Sequence, residues 1–398
     1  MIRVCMLMVL ALSSLACGAR GEMQFADRVQ QLAREVAPAV EEAVGLSFKY
    51  PPHVSVRTSE EVGRFLLHKM QTDFPADELD RLTLAYRLFG LLPDTLDLQR
   101  LLVDLYTEQV VGYYDPATDT LYVVGDADKL QLRVIVAHEL VHALQAQYVP
   151  LDSLLNDRGD NDRRLAAQAV FEGQGVFSSL LALMPDRDLS AMPDFWQNMR
   201  REILEQQEQM PVLNQTPRIL REGLIFPYLG GADFVRWFAT EYPDTVPFGR
   251  RMPTSTEQIL HPERYRDGDR PIAVRFVRSD ALHEDNLGEF EMRVLLTELT
   301  DSESRAAAAV EGWGGDRYAV FSTPAGPALV WWTIWDDETA ARRFYTTLHR
   351  EWGRHRPEGR RYEITRTTWN GKPAVTLVDA PGLWDGLERV PRVAAARD

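Results

Sequence analysis

An α+β protein is what this sequence predicts, with a mostly helical first part carrying a short β-hairpin and a small second part in which strands and helices alternate. Three observations predict it. Apolar residues recur at helical spacing through most of residues 23–240. One hairpin signal interrupts them: Val111 to Tyr114 and Thr120 to Val124, around Asp115-Pro116-Ala117-Thr118-Asp119. From Pro271 the pattern changes to strands and helices, and it includes a hairpin about Asn370-Gly371, a strong two-residue turn.

Met23 to Val44 reads as an amphipathic helix and His53 to Arg57 as a short strand. Glu60 to Gln71, Ala76 to Leu91 and Leu96 to Val110 have helical spacing, and the hairpin follows. Asp126 is placed to cap the next helix, Leu130 to Tyr148. Leu151 to Asp162 is a polar, acidic connection. Helices are expected at Arg163 to Met184, Met192 to Gln209 and Pro217 to Thr240. Tyr242 to Arg270, rich in Pro, Thr and Arg, reads as an ordered meander. In the second part Ser302 to Glu311 is a helix ended by Gly312, and Tyr318 to Ser322 and Ala328 to Trp335 are strands. Asp336 or Asp337 opens a helix through Trp352, and Arg361 to Trp369 pairs with Pro373 to Asp379. A ferredoxin-like arrangement is the expectation for this part. Alternation sends Trp331 and Trp335 to one face of their strand and Trp332 to the other.

The 398 residues suffice for two domains, expected at 22–270 and 271–398. With 45% hydrophobic residues, 9 Trp, 13 Tyr and 16 Phe, the chain can build real cores. A net charge of −15 argues against nucleic acid as partner, because phosphate backbones reward clusters of Lys and Arg. Residues 1–17 read as a targeting segment. Arg3 is followed by the apolar run Val4 to Leu12, too short for the ~20 residues a permanent span needs, and then by small residues. Ser14-Leu15-Ala16-Cys17 resembles a bacterial lipoprotein signal, with Ser14 where Leu is usual. Export is therefore expected, to a periplasm or cell envelope, with membrane attachment through a lipidated Cys17 or else ordinary secretion by cleavage near Ala16 or Ala19. The other cysteine, Cys5, lies in the segment to be removed, so the mature chain depends on no internal disulfide.

His138-Glu139-Leu140-Val141-His142 carries the chemistry. Residues four apart share a helix face, so both imidazoles can reach one metal ion, and Glu139 lies about 100° round, beside a water that ion would hold. Zinc needs a third protein ligand and keeps a position for water. Glu172, in Ala169-Val170-Phe171-Glu172-Gly173-Gln174-Gly175 on the next helix, is the best placed, with Asp160, Asp162 and His261 as competitors. Two glycines beside one glutamate inside a helix cost about 1 kcal/mol each relative to Ala, which points to a packing or site demand.

These motifs resemble the zincin metallopeptidases, of the gluzincin type, with two histidines and a downstream glutamate. They look closer still to a group of bacterial exported proteins with His-Glu-x-x-His followed by Glu-Gly-x-Ala, which here is Glu172-Gly173-Gln174-Gly175. Gly112-Tyr113-Tyr114-Asp115 and Ser255-Thr256-Glu257-Gln258-Ile259-Leu260-His261-Pro262-Glu263 also look like that group, and the likeness runs from Glu108 to Tyr265. It implies a zincin-like catalytic domain in which His138, His142 and Glu172 are the zinc ligands and Glu139 is the catalytic carboxylate. The Asn-Glu-x-x-Ser-Asp form of thermolysin-like members is absent, which leaves the surroundings of the ligands and the substrate class open. The chemistry agrees: Glu139 would act as general base, and the oxyanion needs a further donor, for which Tyr228 and His261 are the candidates. Leu121 to Val124 could offer a sheet edge to an extended substrate.

The function expected is zinc-dependent hydrolysis of a peptide or protein substrate. The alternatives are an envelope lipoprotein that keeps the scaffold for binding or assembly, and a metal hydrolase acting on a non-peptide bond. Gly312-Trp313-Gly314-Gly315-Asp316 lacks the residues of a nucleotide loop and reads as a turn.

Overall fold

The computed structural model describes residues 5–8, 19–73, 76–125, 129–155, 159–187, 189, 192–278, 280–355, 359–382, 384 and 389–396. Its first part runs β1 (Cys5–Met8), α1 (Ala19–Val44), β2 (His53–Arg57), α2 (Ser59–Asp73), α3 (Ala76–Phe89) and α4 (Leu98–Gln109). The hairpin β3 (Val110–Asp115) and β4 (Thr120–Val124) leads into α5 (Lys129–Ala146). Then come α6 (Leu151–Leu155), α7 (Asn161–Leu183), α8 (Pro193–Glu208), α9 (Pro211–Gln215), α10 (Arg218–Glu241), α11 (Thr256–Leu260) and α12 (Pro262–Arg266). The meander after Tyr242 thus holds two short helices. Cys17 and Asp126, the residue expected to cap α5, lie outside the described residues.

Local chemistry accounts for these elements. Val29, Ala33, Val36, Val40 and Val44 form one buried stripe along α1, packed on Val136, Leu140 and Leu144 of α5. Asp97 caps α4, its carboxylate accepting from Arg100 N at 3.0 Å. α5 is buried on every side from Ile135 to Gln145, the polar face of His138, Glu139, His142 and Gln145 included. In the four-stranded sheet the order is β1-β3-β4-β2. β4 therefore has neighbours on both sides, antiparallel β3 and parallel β2, and the edge expected at Leu121 to Val124 is taken by β2. The free side of β3 is paired with Cys5–Met8.

The second part runs β5 (Val274–Phe276), β6 (Ala281–Asp285), α13 (Gly288–Thr300), α14 (Glu303–Val310), β7 (Trp313–Thr323), β8 (Gly326–Trp335), α15 (Glu338–Glu351), β9 (Arg360–Trp369), β10 (Lys372–Pro381) and β11 (Val393–Ala395). The larger sheet is antiparallel throughout, ordered β6-β7-β8-β10-β9. The fold is α+β. Tight hairpins join β7 to β8 and β9 to β10, and α15 carries the chain from β8 past β10 to β9, so β8 and β9 run parallel with antiparallel β10 between them, the split β-α-β arrangement that a ferredoxin-like fold uses. Asn370 (φ 47°) and Gly371 (φ 81°) make the expected turn. Trp331 and Trp335 pack on Phe344 of α15, while Trp332 lies in the apolar cluster of the opposite face.

One apolar core runs through both parts, from Val62 to Leu377. A buried polar network crosses the boundary expected at 270. Asp162 accepts from the backbone N and the hydroxyl of Thr256, and that hydroxyl accepts from Phe290 N at 3.1 Å. Asp285 accepts from Asn161 N at 2.9 Å, and Tyr86 donates to Glu291 at 2.8 Å. Burial pushes the Glu291 carboxyl up to about 7 and that of Asp316 to about 6. A raised carboxyl pKa means that the folded chain holds a proton the unfolded chain has released. Stability from these two groups is fully present below about pH 4 and falls as pH rises through 6 and 7. The Glu291→Gln variant is accordingly expected to lose less stability between pH 5 and pH 8 than the native chain, by about 2 kcal/mol in urea unfolding. An unchanged pH slope would remove Glu291 from this role.

Candidate metal centre

His138 and His142 project from one face of α5, and Glu172 meets them from α7; exposures are 0%, 0% and 1%. The two Nε2 atoms lie 2.9 Å apart, and Glu172 Oε2 is 3.3 Å from the first and 3.4 Å from the second. Four donors about 2.0–2.1 Å from a tetrahedral zinc stand roughly 3.3 Å from one another, so this spacing suits a common cation. Two imidazole nitrogens at 2.9 Å would repel unless a proton or a cation lay between them, and such close, buried donors fit the metal on chemistry as well as geometry. Burial lowers the His138 pKa, keeping the ring neutral with a lone pair to offer. Burial raises the Glu172 carboxyl, but a proton or cation shared with the two imidazoles outweighs it and lowers the group's pKa. Of the proposed third ligands only Glu172 reaches this point. Asp160 caps α7, and Asp162 is engaged by Thr256, ten residues or about 15 Å along the helix from Glu172.

Small residues bring the helices together. A Cβ on Gly175 would stand 2.5 Å from His138 Cε1, so the ring lies directly on that backbone. A side chain on Gly173 would run into the backbone of Gly231 and Ala232 of α10, and one on Gly231 into the carbonyl of Ala169. The close crossing of α7 and α10 sets Tyr228 beside the trio, its ring centroid 6.2 Å from that of His138 with the planes 21° apart. Glu139 is 0% exposed and its Cγ sits 3.6 Å from the Cβ position of Gly112, so β3 passes against the candidate base.

His261 does not join the trio. Its Nε2 lies 2.8 Å from Glu289 of α13, whose carboxylate raises the imidazole pKa, and Glu263 is 3.8 Å from its Nδ1. The segment 255–266 instead fastens the two parts of the chain. Arg264 lies between Asp269 at 2.7 Å and Asp336 at 2.9 Å, with Glu257 at 4.0 Å, so its guanidinium already supplies the charge for this second group of acids.

Two side chains at the centre carried no signal in the sequence. Gln145 accepts at Oε1, 2.8 Å from His142 Nδ1, and donates from Nε2 to Phe171 O at 3.2 Å and Gln174 Oε1 at 2.8 Å. Amides have no characteristic spacing relative to a metal motif, although Gln145 falls one helical turn beyond His142. A cleft of about 650 Å³ lies between α8, α10 and α13, and none of the trio lines it. Among the described residues no helix is long and apolar enough to cross a membrane.

The family model "Domain of unknown function (DUF8575)" matches residues 275–384. No curated protein matches. The chain is similar to a solved structure from Chloroflexus aurantiacus described as "a putative hydrolase with a novel fold", at 18% identity, over 63% of this chain and 91% of that one, with a TM-score of 0.43.

Proposed function

We propose that this chain is a zinc-dependent peptidase of the zincin kind. The observation that carries the reading is the convergence of His138, His142 and Glu172 on one point, with Glu139 next to His138 in the chain and buried. The leader reading of residues 1–17 makes it an exported protein, held at a membrane where Cys17 is acylated. His138 and His142 would hold zinc through Nε2 and Glu172 through Oε2, and the ion would supply a water acidified towards ~7 and positive charge for an oxyanion. With the ion bound, Glu139 would be the group that moves a proton from water to the leaving nitrogen. Tyr228, whose ring lies 6.2 Å from that of His138, would be the side-chain donor for a developing oxyanion. The buried surroundings strengthen each of these interactions by excluding bulk water. Peptide as substrate is supported by the likeness of the two motifs to gluzincins.

The test is stoichiometry and turnover together. Native protein is expected to hold about one zinc per chain, to lose it as His138→Ala or Glu172→Ala, and to cleave members of a broad peptide library. A zinc-loaded native chain that cleaves none would favour the binding scaffold. A native chain without affinity for zinc would end both readings.

A further inference from the structure

We infer that Gln145 is a positioning residue: its amide holds His142 in the tautomer protonated on Nδ1, and Gln174 reinforces the direction in which that amide points. The inference deepens the metal-site reading above and rests on it. Gln145 is 0% exposed and follows His142 by one turn of α5. The two ends of its amide meet different partners. Phe171 O can only accept, so the end of Gln145 that lies 3.2 Å from it is the NH2 group. The other end is then the carbonyl oxygen, 2.8 Å from His142 Nδ1, and it can only accept. Nδ1 must therefore carry the proton, which leaves the Nε2 lone pair directed at His138 Nε2 and Glu172 Oε2.

Gln174, 3% exposed and two residues beyond Glu172, accepts from the same NH2 group at 2.8 Å. One amide–amide bond thus ties the histidine helix to the glutamate helix. His138 is held differently, its Nδ1 turned to the backbone at Gly175 and not to a side-chain amide. An amide fixes the ring without adding a further buried anion to a site that already holds Glu172 and Glu139.

Two readouts test this, zinc affinity by competition with a chromophoric chelator and two-bond 1H–15N spectra of histidine-labelled, zinc-free protein. The native spectrum is expected to show His142 protonated on Nδ1; an Nε2-protonated His142 overturns the inference without any variant. Gln145→Leu is expected to weaken zinc about 10–100-fold and to mix the His142 tautomers. Native affinity with unchanged His142 signals in Gln145→Leu overturns the inference, as does a lowered affinity with the His142 signals unchanged, which would make the loss one of packing. Should Gln145→Leu fail to fold, Gln174→Leu is expected to shift both readouts the same way by less, and no shift counts against the inference. If native protein binds no zinc, the metal reading fails separately, while the spectra still decide the tautomer.

Discussion

Replacing Glu139 by Gln is expected to leave zinc in place and to lower peptide turnover by about 10²–10⁴-fold, the usual weight of a positioned general base. The amide keeps the size of the carboxylate, which matters in a helix with no exposed surface at this position. It removes only the basic oxygen that would take a proton. Glu139 is not one of the three converging donors, so metal content should not follow activity downward. Metal analysis beside steady-state kinetics on the best library peptide makes the comparison. Full activity in the variant would place the base elsewhere. Loss of zinc would make Glu139 part of the metal's support, and the mechanism proposed for it would fall.

Gly231→Ala is the substitution expected to cost most in stability, roughly 3 kcal/mol, at the upper end for overpacking. In an open helix the change would gain about 1 kcal/mol from propensity. Here the added methyl would overlap the Ala169 carbonyl, while Gly173, one turn along α7, is pressed on the same stretch of α10. Backbone meets backbone, so no flexible side chain can move aside. Urea unfolding measures the loss. Because Glu172 stands between Ala169 and Gly173 on that crossing, a folded variant is also expected to bind zinc more weakly. Stability equal to or above that of the native chain would mean that the helices do not touch this closely.

Much of the centre could be read directly because its chemistry has a period. Histidines four apart fall on one face of α5, and a glutamate set among alanines and glycines announces a tight crossing. The three tryptophans of β8 were legible for the same reason, since alternation decides which face each one takes. Pairings between distant segments have no such period. Nothing near Leu121 says that His53–Arg57 will lie parallel to it and close that edge. α13 escapes periodic reading because Phe290, Met292, Val294, Leu295, Leu296 and Leu299 cover more than one of its sides, buried between the two parts of the chain. His261 was misplaced because its partner, Glu289, belongs to that same helix. Gln145 stayed silent because an amide acquires its meaning only from what surrounds it.

The trio and its base have almost no surface open to solvent. A peptide cannot reach atoms so enclosed in this conformation, and neither can a chelator or an inhibitor. Each would wait on the same local opening of the protein. Turnover, metal stripping and slow inhibition should then share one temperature dependence and one ceiling, set by how often the covering elements part, and raising the concentration of any visitor would not lift that ceiling.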